Sequence, residues 1–407
     1  MKKPWHQEKW FTSSWNFADE VTRDFNFAKD IKFHDVSLRD GEQQAGLIFT
    51  KDQKIALAEK MAELGMHRIE AGMPAVSKQD RDAIIEIEKR NLGMDVFAFA
   101  RCMREDVLRA VDCGVKNIVI EIPASEHVVE HAYKWEYEKA IELAIDATQC
   151  AKENGLYTVF FPIDGTRTEL GTFTELITRV ANEGHMDALA VVDTFGGLAP
   201  AACSYLIKKI KTVIDKPLEV HFHDDFGLGA ANTLMALSAG AEVAHTTITG
   251  IGERAGNAAY EDVALSLLTM YGIDTGLKYE KMNELSKMMR DFSGHTIAPN
   301  RGIVGPTLAD IESGLVADWY ANAHKEHPLE LSPYDYSLVG HESAKVVIGK
   351  MSGISTVDIY LDQLGIECDS REAKLEIVAK IKEKAFLKHG LLTVEEFREI
   401  VFKVLGK

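Results

Sequence analysis

The sequence is short of positive charge. Its 407 residues carry 46 Lys and Arg against 63 Asp and Glu, a formal net charge of −17. A surface of that sign repels phosphate backbones and anionic lipid, which argues against nucleic acid or a membrane as a partner. It leaves room for a small anionic substrate, because a few arginines reverse the field inside a pocket. Cysteine is scarce too: Cys102, Cys113, Cys150, Cys203 and Cys368 are odd in number and form no CxxC pair. That excludes a disulfide framework or a thiolate zinc site and fits reduced thiols in a cytoplasm. No window reaches the roughly 18 uninterrupted apolar residues of a membrane span. The opening MKKPWHQEKWF lacks the apolar core of a signal peptide. After the first strand-like run stands LRDGEQQAG, with no G-x-G-x-x-G turn, which counts against an open dinucleotide-binding sheet.

What is present is a rhythm. With 46% hydrophobic residues the chain can fill a large core. Eight β-prone runs recur between residues 33 and 249: FHDVSL (33–38), HRIEAG (67–72), DVFAFAR (95–101), NIVIEIP (117–123), YTVFFPID (157–164), DALAVVDT (187–194), LEVHFH (218–223) and EVAHTTIT (242–249). Helix-like segments such as KDQKIALAEKMAELG and AANTLMALSAG separate them, with apolar residues at i, i+3, i+4 and a closing Gly. Strands alternating with helices imply parallel pairing through right-handed crossovers. Eight such units predict a (β/α)₈ TIM barrel over 31–280, with the open doubly wound sheet as the runner-up. Residues 1–30, with Trp5, Trp10 and Trp15, read as an arm docked by aromatic anchors. Residues 281–407 read as a small helical C-terminal or lid region. There KMMRDF, ADIESGLVADWYANA, SREAKLEIVAKIKEKAFLKHG and TVEEFREIVFKVLG look helical.

In such a barrel the active site lies where the strands end, and polar residues collect there. In LEVHFH, alternation places His221 and His223 on one face. A carboxylate from strand one can meet them, since strands one, seven and eight are neighbours. Asp40, His221 and His223 would then form one oxygen and two nitrogen ligands for Mn²⁺, Zn²⁺ or Mg²⁺, with open positions for a 2-oxo acid. Asn257, in GIGERAGN, is a further ligand or supporting group. Arg39 is placed to stabilise an alkoxide, and Thr194 to hold a substrate carboxylate. Glu70, Arg101 and Arg167, at the ends of strands two, three and five, add a catalytic candidate and two substrate-binding candidates.

The order SLRDGEQ, IEAGMP, VVDTFG, HFHDDFG, GIGERAGN resembles the metal-dependent DRE-TIM enzymes. Within them it is most similar to the branch of 2-isopropylmalate, homocitrate, citramalate and Re-type citrate synthases, which share a pyruvate carboxyltransferase-like domain with HMG-CoA lyase. The resemblance implies a divalent cation on Asp40, His221 and His223, supported by Asn257, and contacts from Arg39 and Gln43 to a 2-oxo acid. It implies a Claisen-type addition of an acyl-CoA enolate, expected from acetyl-CoA, to the keto carbon, followed by thioester hydrolysis: an acyltransferase. It also implies a homodimer. The long regulatory domain of leucine-regulated relatives has no counterpart before residue 407.

Three positions depart from the branch. FPIDGTR has Ile163 where a Glu is usual. ADIESGLVADW has Ile311 and Val316 where histidines are expected. Asp224–Asp225 follows the histidines in place of Asn-Asp. The lost Glu and His groups bear on proton removal from the acyl-CoA methyl group. His341 is the candidate replacement, with His127 and Asp310 beside it; His341 also reads as a solvated loop histidine. A cleaving aldolase or lyase of the HMG-CoA lyase type is the alternative reaction, although GIGERAGN lacks that branch's Cys. A barrel keeping its metal only for sensing or scaffolding is the third reading.

Overall fold

The middles of runs such as DVFAFAR and NIVIEIP are apolar at successive positions, so both strand faces there are kept from water. The structure, a computed structural model, describes residues 3–406. In it the eight runs become β1 (Lys32–Asp35), β2 (Arg68–Gly72), β3 (Asp95–Arg101), β4 (Asn117–Pro123), β5 (Tyr157–Ile163), β6 (Ala188–Asp193), β7 (Leu218–Phe222) and β8 (Val243–Thr246). They pair in parallel and in chain order. The sheet closes where Lys32 to Asp35 run beside Val243 to Thr246. That closing ladder rules out the open sheet and establishes the (β/α)₈ barrel.

One helix follows each strand: Lys51–Leu64, Lys78–Arg90, Arg104–Asp112, Tyr137–Glu153, Leu170–Glu183, Pro200–Ile210, Gly229–Ser238 and Tyr260–Met270. Local chemistry sets their ends. Thr50 accepts from the Gln53 amide while Gln53 reaches back, a reciprocal cap. The same helix stops at Gly65, whose φ of 92° suits a residue with no side chain. Inside the barrel Phe97, Phe99, Val119, Val159, Phe161, Ala188, Ala190 and Val192 pack together. The apolar filling comes from β3 to β6; β1, β2, β7 and β8 put polar residues on that face.

Strands one and eight end earlier than their sequence patterns, at Asp35 and Thr246. A turn of 3₁₀ type over Gly41–Gln43 follows β1, so Arg39 and Asp40 lie in a turn beyond the strand. Lys54 fixes that turn from below. It is fully buried, donates to Leu38 O at 3.0 Å and Asp80 at 2.5 Å, and pairs with Glu42.

The chain divides into two compact units. Ser14–Ile297 contains the barrel; the described residues before Ser14 and from Ala298 onward form the other. The sequence boundaries stood at 30 and 280. Trp10 lies in the second unit, where its indole donates to Pro4 O and its backbone bridges Tyr334. Phe25 and Phe27 lie in the barrel unit against Tyr271. Trp15, expected as an anchor, is 80% exposed. The second unit has helices Gly314–Ala323, Ile354–Leu364, Arg371–Lys388 and Val394–Leu405. The last three bury Val357, Leu361, Ile377, Ile381, Phe397 and Val401 in one core. ADIESGLVADW is not helical throughout: Asp310–Ile311 is a short strand paired with Lys345–Val346, and the helix starts at Gly314 because strand pairing has taken the preceding backbone groups. Among the described residues no helix is long and apolar enough to cross a membrane.

Candidate metal centre

β7 carries His221, and His223 follows at the strand's end. Asp40 comes from the turn after β1. His221 Nε2 lies 3.1 Å and His223 Nε2 3.9 Å from Asp40 Oδ2, and all three side chains are buried. One ligand atom from each falls within 4.8 Å of the others. That spacing suits a shared cation, whose bonds to such atoms run about 2.0–2.2 Å. The second ring nitrogen of His223, Nδ1, faces Gly256 O at 3.1 Å. Donation there directs the Nε2 lone pair to the common point. Asn257 is bridged to His223 through the backbone. Its Nδ2 donates to Ile251 O at 3.3 Å, while its buried Oδ1 has no hydrogen-bond partner. The set fits a divalent ion on an observation of its own: Asn257 Oδ1 is buried with no hydrogen to receive, and both imidazoles bring Nε2 to the same carboxylate oxygen.

Charge favours the same state. Burial opposes ionisation of Asp40, but Arg39 and His221 overcome it and hold its carboxyl well below the usual range. Burial pushes the His221 pKa down to about 3, against the pull of Asp40, and burial likewise lowers His223. One carboxylate and two neutral imidazoles are thus ready at neutral pH.

Arg39 stands beside them. It donates to Asp40 at 3.1 Å and Gln43 at 3.3 Å, pairs with Glu70, and lies with Cζ 4.0 Å above the Phe99 ring. Its remaining nitrogen, Nη2, is buried with no hydrogen-bond partner. A cavity of about 500 Å³ opens next to Arg39 and Gln43, lined also by Phe49, Lys54 and Met73. The HMGL-like family model matches residues 30–289, the barrel with all of these groups.

The chain belongs to the HMGL-like family.

Its relatives include the homocitrate synthase AksA of Methanopyrus kandleri, 38% identical over 389 residues, with 96% of each chain covered. The 2-isopropylmalate synthase of Methanocaldococcus jannaschii is 36% identical over 391 residues, covering 95% of this chain and 74% of that one. Among solved structures, the HMG-CoA lyase of Bacillus subtilis superposes with a TM-score of 0.60 at 22% identity. It covers 68% of this chain and 97% of that one and bears on the fold alone.

In this HMGL-like barrel the other sequence-predicted residues have partners of their own. Glu70 is the buried counter-ion of Arg39. Arg101 forks onto Asp106 at 2.7 and 3.2 Å. Arg167 forks onto Asp164 at 2.6 and 2.8 Å and lies over Phe195. Thr194 Oγ1 accepts from the Asp164 amide. The ends of β5 and β6 are thereby tied together, and His127 Nε2 approaches Asp164 at 3.4 Å. Ile163 packs onto the inner apolar cluster. Asp224 accepts from the Gly229 amide, where a helix begins, and Asp225 pairs with Arg254 at 2.9 Å. His341 lies in the second unit, its Nε2 2.9 Å from Gly305 O and its Nδ1 3.1 Å from Glu342 O.

Sequence reasoning missed the aromatic bed of Phe99 and Phe161 under Arg39 and the Lys54 clamp. It also missed a second polar cluster deeper in the barrel, formed by His34, Arg68, Glu219 and His245. One signal was available: Glu219 shares strand alternation with His221 and His223 and points inward with them.

Proposed function

We propose that the protein condenses an acyl-CoA, acetyl-CoA in the first place, with a 2-oxo acid to give a 2-hydroxy di- or tricarboxylic acid and free CoA. The observation that carries this is the convergence of Asp40, His221 and His223 beside an Arg39 nitrogen with no partner, in a chain aligned end to end with a named homocitrate synthase. A divalent cation on these residues, supported by Asn257, would polarise a chelated ketone. Arg39 Nη2 would donate to the oxygen that gains charge as the carbon–carbon bond forms. Gln43 would help hold the 2-oxo acid, with Glu70 keeping Arg39 in place; Thr194, Arg101 and Arg167, the sequence's candidates for its carboxylates, would have to leave Asp164 and Asp106 to reach it. A base takes the methyl proton, the carbanion adds to the keto carbon, and water then cleaves the thioester, so that the acyl carbon leaves as carboxylate and sulfur as the thiol. The reading also takes the protein to be a homodimer, as the family resemblance implies, and to work in the cytoplasm, with which its free cysteines agree.

Incubation with acetyl-CoA and a panel of 2-oxo acids is expected to release thiol only when both substrates are present. Absence of release from every pair, together with cleavage of a 2-hydroxy acid, would reverse the assigned direction.

Of the candidate methyl-proton bases only His127 belongs to the barrel unit, its Nε2 3.4 Å from Asp164. His127→Gln is expected to lower kcat by about 10²–10³-fold with metal content unchanged. A rate near wild type removes it from the role.

A further inference from the structure

The deeper polar cluster has no part in that scheme. His34 on β1, Glu219 on β7 and His245 on β8 are each fully buried on the inner face of the barrel. Register brings them together, because His34 lies opposite His245 across the closing ladder and His245 lies opposite His221. Glu219 precedes His221 by two residues, so the cluster lies about 6–7 Å further down the strand axis than the Asp40 set.

Its hydrogen bonding is incomplete. His245 Nε2 lies 2.7 Å from Glu219 Oε2, and Arg68 donates to the other oxygen of Glu219 at 2.7 Å. Neither ring nitrogen of His34 has a hydrogen-bond partner: Nδ1 stands 3.9 Å from Glu219 Oε2 and Nε2 4.0 Å from Glu70 Oε2. His245 Nδ1 and Glu70 Oε2 are also unpartnered and buried. Interiors rarely leave one such atom unmatched, and here four belong to three neighbouring side chains. One ligand atom each from His34, Glu219 and His245 falls within 4.8 Å of the others.

We propose that the barrel floor is a second divalent-cation site, with His34 Nδ1, Glu219 Oε2 and His245 Nε2 as ligands. Two imidazoles and a carboxylate suit Zn²⁺, Fe²⁺, Mn²⁺ or Co²⁺. The surroundings supply outer partners. Arg68 anchors the non-ligating oxygen of Glu219, and Glu70 Oε2 stands 4.0 Å from His34 Nε2, so a small approach of the two would complete the carboxylate–histidine–metal arrangement that fixes ring orientation. Glu70 in turn carries Arg39, so the floor ion and the mouth of the barrel share one chain of buried charge.

Co²⁺ titration of protein stripped with chelator, read by absorption and by metal analysis, tests this. About two equivalents per chain are expected for the wild type. The double variant D40N/H223A, which removes two mouth ligands, is expected to keep about one. His34→Leu is expected to drop to one, with the mouth ion retained. A wild type that takes one equivalent and a D40N/H223A that takes none would overturn the floor site, leaving water to fill it. One equivalent in both proteins would keep the floor ion and overturn the mouth assignment. D40N/H223A decides the matter even if His34→Leu does not fold.

Discussion

Replacing His223 with alanine is expected to strip the cation from the barrel mouth and abolish turnover while the fold persists. The ring is buried, and it touches Asp40 and Gly256 O through its two nitrogens. Deleting it leaves Asp40 and His221, two ligand groups where three stood. Loss of a mere outer partner costs about 10–100-fold in metal affinity, so loss of a ligand should cost at least about 100-fold. Stability should change little in the metal-free protein, because Asp40 keeps Arg39 as its counter-ion. Metal analysis of the mouth site and circular dichroism check both halves. Undiminished metal there would remove His223 from the ligands, and an unfolded variant would show that the ring is chiefly structural.

Arg39→Ala is expected to retain the mouth cation and to lower kcat by about 10²–10³-fold, the usual effect of losing one donor to a developing oxyanion. It should also destabilise the fold. Among the described residues Arg39 is the one arginine or lysine paired with Glu70, and it pairs with Asp40 as well. Removing one partner of a buried ion pair costs on the order of 3–5 kcal/mol. The two effects separate in the double variant Arg39→Ala, Glu70→Gln. Neutralising the orphaned carboxylate should restore most of the stability and none of the rate. Denaturant unfolding alongside thiol-release kinetics measures each. A double variant that regained activity would show that Arg39 acts only by holding Glu70.

The sequence was most legible where one physical rule acts alone. β3 and β4 match their runs DVFAFAR and NIVIEIP residue for residue, since a strand buried on both faces has no other pattern. Asp40, His221 and His223 could be grouped because strand alternation and barrel adjacency are both periodic. The ends of β1 and β8 were misjudged. FHDVSL and EVAHTTIT keep their β-prone composition past the point where tertiary hydrogen bonds turn the chain: the backbone amides of Arg39, Asp40 and Gly41 all point at Val36 O. The engagement of Arg101, Arg167 and Thr194 by Asp106 and Asp164 was not legible. A charged residue at a strand end looks the same in sequence whether it awaits a ligand or already holds a neighbour. His34 and His245 escaped notice for a related reason. Each is a lone histidine in an apolar run, and only the barrel's closure makes them adjacent.

The carbonyl of Gly256 receives both the His223 ring and the Asp224 amide, and at φ +86° its residue has no room for a side chain against the Gly250 carbonyl. The aim of an imidazole is thus written into main chain that cannot be decorated. Anyone reshaping this enzyme for a bulkier keto acid should treat 250–257 as an indivisible part, transplanted whole or left alone, and look for freedom in the loop around Phe226, whose ring already stands in the open.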